Sequence, residues 1–248
     1  MDGRRLRESA KLGIRSVLYR HNLDLGLNPF PRRVATCLEW LLADTVLDVG
    51  ANIGQYASSL RNCGFQGRVI SCEPLSGAFA DLARRSARDQ RWEAVHTAVG
   101  AESGVTTIHV SANSYSSSLL PMTQRHLSAD PKSRTTSAEQ VPVTTVAALT
   151  DDYLVQAERC LLKIDTQGFE SHVLDGAGDA LSYFAAIQLE LSFAALYEGQ
   201  TLYPDLVERL EGTGYVLFGF EPGIGDPKTG QLLQCDGLFV RRDRVDSA

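Results

Sequence analysis

A short apolar strand that ends on glycine and turns at once into a helix constrains this chain more than any other feature. Thr45–Val49 is apolar or β-branched apart from Asp48, and Gly50 and Gly54 bracket Ala51, Asn52 and Ile53. A helical run through Tyr56, Ala57 and Leu60 then stops at Gly64. A glycine turn between strand and helix lets backbone approach a ligand and aims amide N–H groups at it. A second apolar run, Arg68–Cys72, delivers Glu73 and Pro74 to a neighbouring strand end. An acid about twenty residues beyond such a turn is placed to hold the hydroxyls of a ribose. The order of these parts predicts an α/β fold that takes a nucleoside-bearing ligand.

A dinucleotide site has G-x-G-x-x-G, whose middle glycine admits a pyrophosphate. Asn52 stands at that position, and Asp48 adds negative charge close to where a phosphate would lie. A cofactor with an ammonium and a sulfonium but no phosphate suits such a turn. S-adenosylmethionine has that chemistry, and Asp48 with Glu73 is expected to hold its two polar ends.

These segments resemble the FkbM-type methyltransferases. The matching pieces are Val46–Gly54, Glu73-Pro74, Ala98-Val-Gly100, Ser116–Leu119, and Leu162–Glu170 running on to Val173–Ala177, together spanning roughly residues 45–195. The resemblance implies a class I methyltransferase fold, S-adenosylmethionine as methyl donor, and a hydroxyl oxygen as acceptor on natural-product scaffolds or on sugars of glycolipids or glycopeptides. Cofactor contacts are accordingly expected from Asp48, Gly50, Ala51, Asn52, Gly54, Tyr56, Glu73, Pro74, Ala98, Val99 and Ser117. Gln167 departs from the pattern, since the family more often carries Glu there.

The length suits one α/β domain preceded by a helical extension. We place the extension at residues 1–43 and the catalytic domain at 44–243. The net charge of −6 attracts neither nucleic acid nor a membrane as a whole. The five cysteines lack metal-ligand spacing and sit mostly in apolar runs, as reduced core residues of a cytoplasmic protein do. Residues 4–20 set Leu6, Ala10, Ile14, Val17 and Leu18 on one helical face, with six basic residues around the remainder. That face predicts either a core- or subunit-capping helix, which would allow a homo-oligomer, or a peripheral contact with anionic lipid.

Pro31 opens a helix whose apolar stripe is Val34, Cys37, Leu38, Leu41 and Leu42. Further strands are expected at Trp92–Val99, Gly104–Val110, Gln140–Val146, Cys160–Asp165 and Ala186–Ser192. Helices are expected around Leu75–Leu82, Ala147–Leu154, Phe169–Ala177 and Pro204–Leu210. Tyr215–Phe220 and Leu232–Arg241 predict a closing hairpin. The alternation gives a doubly wound, Rossmann-like seven-stranded sheet with its last strand antiparallel. Residues 111–140, rich in Ser, Thr and Asn, are expected as a long loop or flap, ordered at its start and mobile around Ser128–Ser137.

Ligands gather at the carboxyl ends of strands in such sheets, which singles out Asp165 and Glu190. Asp165 is the first candidate for the base that takes a hydroxyl proton, or for a substrate-orienting acceptor; its plainer role is an N-cap. Lys163 within an apolar strand needs an acidic partner, Asp165 or Glu190. His172 is a further candidate base, and Glu170 beside it would complement the helix dipole. His126 could arrive on a closing flap, and Tyr197 could line the acceptor pocket. Asp165 and Glu190 with one more oxygen ligand would suit Mg²⁺, although no compact cluster requires it.

The expected activity is O-methylation of a sugar or other secondary-metabolite hydroxyl, with a small-molecule or lipid-linked substrate. A non-catalytic S-adenosylmethionine-binding partner protein and a nucleic-acid methyltransferase are the alternatives. The second lacks both an Asn-Pro-Pro-Tyr-like segment and a basic patch.

Overall fold

The computed structural model describes residues 29–247. The amphipathic stretch at residues 4–20 lies outside them. Helix α1 (Phe30–Leu41) opens with proline in its first turn and buries Val34, Cys37, Leu38 and Leu41, the stripe its sequence spacing predicts. It leads into strand β1 (Thr45–Val49), every residue of which is buried. Helix α2 (Gln55–Asn62) and strand β2 (Arg68–Cys72) follow. Helix α3 (Ser76–Ser86) then precedes β3 (Trp92–Val95).

The expected single strand over Trp92–Val99 is broken. β3 pairs with β2, whereas β4 (Ala98–Val99) joins a different sheet. That second sheet has three strands in the order β4-β6-β5, with β5 at Gly104–Ser111 and β6 at Thr135–Thr144. The segment read as a flap is therefore structured. Helix α4 (Gln124–Ala129) lies inside it, and β6 starts at Thr135, within the stretch expected to be mobile. Most of the first six residues of β6 are exposed, so no alternating apolar pattern announces that half of the strand, whereas its second half falls within the strand expected at Gln140–Val146. Its order comes from backbone pairing with β5.

Beyond α5 (Val146–Tyr153) the remaining strands complete the main sheet: β7 (Cys160–Ile164), β8 (Phe184–Ser192), β9 (Tyr215–Pro222) and β10 (Gln234–Arg241). Helices α6 (Glu170–Asp175) and α7 (Tyr203–Gly212) lie between them, and α8 (Arg242–Val245) follows β10. The sheet has seven strands in the order β3-β2-β1-β7-β8-β10-β9. β1 runs parallel to β2 and to β7, while β10 is antiparallel to both β8 and β9. The strand order reverses between β1 and β7, and the crevice at such a reversal is where a doubly wound sheet binds ligands. Separate apolar clusters cover its two faces, as burial of a parallel sheet requires. Among the described residues no helix is long and apolar enough to cross a membrane.

Candidate active site

The cavity lies at that reversal, with about 610 Å³ of free space that is partly open to solvent. Its walls include Gly50, Asn52, Glu73, Pro74, Ala98, Val99, Ser117 and Asp165. Gln55, Thr97, Ser114, Tyr115, Gln167 and Phe169 also line it, and the sequence did not single them out for this role. Tyr115 and Ser114 come from a short turn after β5, so the second sheet supplies one wall.

The glycine turn is tighter than its sequence suggests. Gly50 has φ +77°, and a Cβ there would lie 1.8 Å from the carbonyl oxygen of Asp165. Only glycine admits this approach of β1 to the end of β7. Asn52, at φ 49°, uses the tolerance of asparagine for left-handed backbone. Its Oδ1 accepts from the N–H of Ile53, and its amide reaches Ser114 Oγ at 3.3 Å.

The turn was expected to present free N–H groups to a ligand. It does not. The N–H groups of Gly50 and Ala51 donate to the Cys72 carbonyl, and that of Gly54 to the Ala51 carbonyl. The N–H of Asn52 donates to Glu73 Oε2 at 2.8 Å. Every backbone donor from Gly50 to Gly54 is therefore used within the protein, leaving none of them to bind a pyrophosphate.

Glu73 is the hub. It is 4% exposed, and its Oε1 accepts from the N–H of Leu75 at 2.9 Å. Burial pushes its carboxyl up to about 7, against the lowering pull of those two backbone donors. Each oxygen keeps a second lone pair, so a ligand's hydroxyls could donate to it from the cavity.

Asp48 does not line the cavity, contrary to the expected contact with a ligand's polar end. It is fully buried, with Oδ1 3.1 Å from Lys163 Nζ and Oδ2 accepting from Ser71 Oγ at 3.0 Å. β1 and β7 set Asp48 directly opposite Lys163, which explains the pairing. Lys163 also donates to the Gly50 carbonyl at 3.1 Å and lies 3.5 Å from Asp165 Oδ2, but it does not pair with Glu190. Burial alone would pull the Lys163 ammonium down; Asp48 and Asp165 outweigh it and hold its pKa above the ordinary lysine value. Its role is to cross-link the turn to the end of β7.

Ala51, Gly54 and Tyr56 likewise stand behind the cavity. Ala51 is buried in the core, and Gly54 packs against Trp92 and Leu82. Tyr56 donates from its hydroxyl to Gln188 at 2.8 Å. Pro74, Ala98 and Val99 do form cavity wall, and Ser117 Oγ accepts from the N–H of Ser111 at its edge.

On the other side, Asp165 keeps about one third of its side chain exposed, and it is not a helix cap. The turn after β7 is closed instead by Glu170, whose Oε1 accepts from the N–H groups of Thr166 and Gly168, each at 3.0 Å. Glu170 stands in the first turn of α6, as expected, but it is buried, and that burial pushes it up to about 7. Glu190 is bound by the side-chain amides of Gln167 and Gln234. Burial first, then the Asp165 charge, raise its carboxyl well above the ordinary range.

His172, the further candidate base, does not line the cavity. It stacks flat on Phe169 at 4.0 Å between ring centres, outside the cavity wall. His126 is 1% exposed and packs edge-on against Tyr197, while burial lowers its pKa. Tyr197 is fully buried rather than lining a pocket, and its hydroxyl lies within hydrogen-bond reach of two acceptors, Gln167 Oε1 at 2.9 Å and the Ser116 carbonyl at 3.1 Å. Its position ties the segment after β5 to the floor of the site.

Strand order, crevice and acid at the end of β2 define a class I methyltransferase, Rossmann-like in its sheet. The sequence matches the methyltransferase FkbM domain over residues 48–217, and the chain belongs to that family of S-adenosylmethionine-dependent methyltransferases. No curated protein matches it. Among solved structures it is similar to a methyltransferase FkbM from Methylobacillus flagellatus, at 17% identity, 80% of this chain, 43% of that one and a TM-score of 0.46. It is also similar to a precorrin-6y C5,15-methyltransferase from Geobacter metallireducens, at 13% identity, 84% and 86% coverage and a TM-score of 0.43. An O-methyltransferase of neocarzinostatin biosynthesis, in complex with S-adenosylmethionine and a naphthoic acid, matches at 13% identity, 86% and 56% coverage and a TM-score of 0.41.

Proposed function

We propose that this methyltransferase acts on oxygen, methylating a hydroxyl of a sugar in a glycolipid or glycosylated natural product, or of another secondary metabolite. The observation that carries the reading is the placement of Asp165. Its partly exposed carboxylate borders the same cavity as Gly50 and Glu73.

When bound, S-adenosylmethionine supplies an electrophilic methyl group on a sulfonium. We assign its ribose hydroxyls to Glu73 and its remaining surface to Gly50, Asn52, Pro74, Ala98, Val99 and Ser117. An alcohol is a poor nucleophile at neutral pH, so Asp165 serves as the acceptor of its proton or as the group that orients it. A base in that role contributes roughly 10²–10⁴-fold. Holding the acceptor oxygen in line contributes about 7–11 kcal/mol more. The sugar preference rests on the family resemblance and on the hydrogen-bonding character of the Asp165 side.

The test is transfer of labelled methyl from S-adenosylmethionine to glycolipid extracts and to a panel of glycosylated metabolites, with structured RNA as the competing acceptor. Label released as an O-methyl sugar is the expected outcome. Label on RNA alone would move the assignment to the nucleic-acid class.

A further inference from the structure

Gln167 sits where two carboxylates meet. Its side-chain nitrogen is 2.8 Å from Asp165 Oδ1, 3.1 Å from Glu190 Oε2 and 3.2 Å from Glu190 Oε1. Three carboxylate oxygens thus converge on one nitrogen. A carboxylate accepts hydrogen bonds only, so the nitrogen rather than the oxygen of the amide must face the pair. The amide oxygen turns to the Tyr197 hydroxyl, and the Ser118 hydroxyl donates to the Gln167 carbonyl at 2.6 Å.

The backbone is bent to deliver this side chain. Gln167 has φ 56°, left-handed backbone that a non-glycine residue rarely adopts, and Gly168 follows at φ 96°; the buried Glu170 carboxylate holds the turn. Left-handed backbone at a non-glycine residue is strained and persists only where the surroundings over-determine it. Among the described residues, no three His, Cys, Asp or Glu side chains are grouped to hold a metal ion. Two carboxylates this close repel unless a donor, a proton or a cation lies between them.

We propose that Gln167 is the positioning residue of the acceptor side, its amide nitrogen taking the place of a cation, so that Asp165 and Glu190 are assembled as a pair without a divalent metal. The inference rests on the O-methyltransferase reading for the meaning of that side. It follows that an acid at position 167 would put a third carboxylate against the pair and create a site for a hard divalent ion such as Mg²⁺ or Mn²⁺.

Mn²⁺ titration followed by electron paramagnetic resonance tests the proposal on the full chain. The proteins compared are wild type, Asp165→Asn, Gln167→Glu and the Gln167→Glu/Asp165→Asn double variant. We expect no Asp165-dependent Mn²⁺ site in wild type. Gln167→Glu should gain one site per chain, at least about tenfold tighter than any in wild type, and the added Asp165→Asn should abolish it. A wild-type Mn²⁺ site lost in Asp165→Asn overturns the proposal, as does a folded Gln167→Glu protein that gains none. If Gln167→Glu does not fold, the wild-type comparison decides alone: absence of the site supports the proposal and its presence overturns it. Parallel calorimetry with S-adenosylhomocysteine reports separately on the methyltransferase reading, because Mn²⁺ binding needs no cofactor.

Discussion

Lys163→Met tests how the glycine turn is held. Lys163 is 3% exposed, with Asp48 Oδ1 and the Gly50 carbonyl each 3.1 Å from its ammonium and Asp165 Oδ2 at 3.5 Å. Methionine conserves the stem and removes the charge. Asp48, fully buried, is then left with Ser71 Oγ as its hydrogen-bond donor and no cation. Breaking one partner of a buried pair costs about 3–5 kcal/mol. At roughly 2–4 °C per kcal/mol for a chain of this size, Tm should fall by about 6–20 °C. Urea unfolding measures the loss directly. The companion Lys163→Met/Asp48→Asn removes both charges and should recover most of the loss, because an uncompensated charge costs more than a missing pair. A single-variant loss below about 1 kcal/mol, or single-variant losses that merely add in the double, refutes the reasoning.

Other expectations follow from the same geometry. Gly50→Ala must displace the Asp165 carbonyl, so it should abolish cofactor binding as well as lower Tm; wild-type affinity would contradict the close approach. S-adenosylhomocysteine affinity should weaken by about tenfold per pH unit below the Glu73 value of about 7, since the ionised carboxylate is the form that accepts two hydroxyls; a flat profile from pH 5 to 8 removes Glu73 from that role. For the ligand-free protein the sign is opposite. Burial raises the folded values of Glu73, Glu170 and Asp236, the last in β10, to about 7, 7 and 6, so the native state binds more protons than the unfolded one. Their contribution to stability therefore falls as pH rises from about 5 to 7, and thermal melts read the slope. Tyr197→Phe removes the hydroxyl joining Gln167 to Ser116 and should raise hydrogen exchange in residues 116–123 with little loss of cofactor affinity.

Much of the main sheet was legible because its signals are local. β1, β2 and β7 are short apolar runs bounded by glycine or charge, and the crossover helices carry clear stripes. The second sheet was legible only in part: β5 and the second half of β6 fall on expected strands, but exposed Thr and Ser residues in the first half of β6 give no apolar alternation, and only pairing with β5 reveals it. In the site, Glu73 and Asp165 could be found from strand ends. The Asp48–Lys163 pair depends on register between strands more than a hundred residues apart, which no local pattern encodes. Gln167 had a weak signal, an amide next to Gly168 where its family more often has an acid, but its second carboxylate partner, Glu190, lies on β8 and is brought to it only by the sheet.

The most direct test of the account is calorimetry of the wild-type protein against S-adenosylmethionine or S-adenosylhomocysteine, with NAD and ATP as controls. Binding of the sulfur nucleosides near one per chain, lost in Glu73→Ala, with no heat from either phosphate ligand, is the predicted result. Clean titration of NAD or ATP with no heat from the sulfur nucleosides would contradict it.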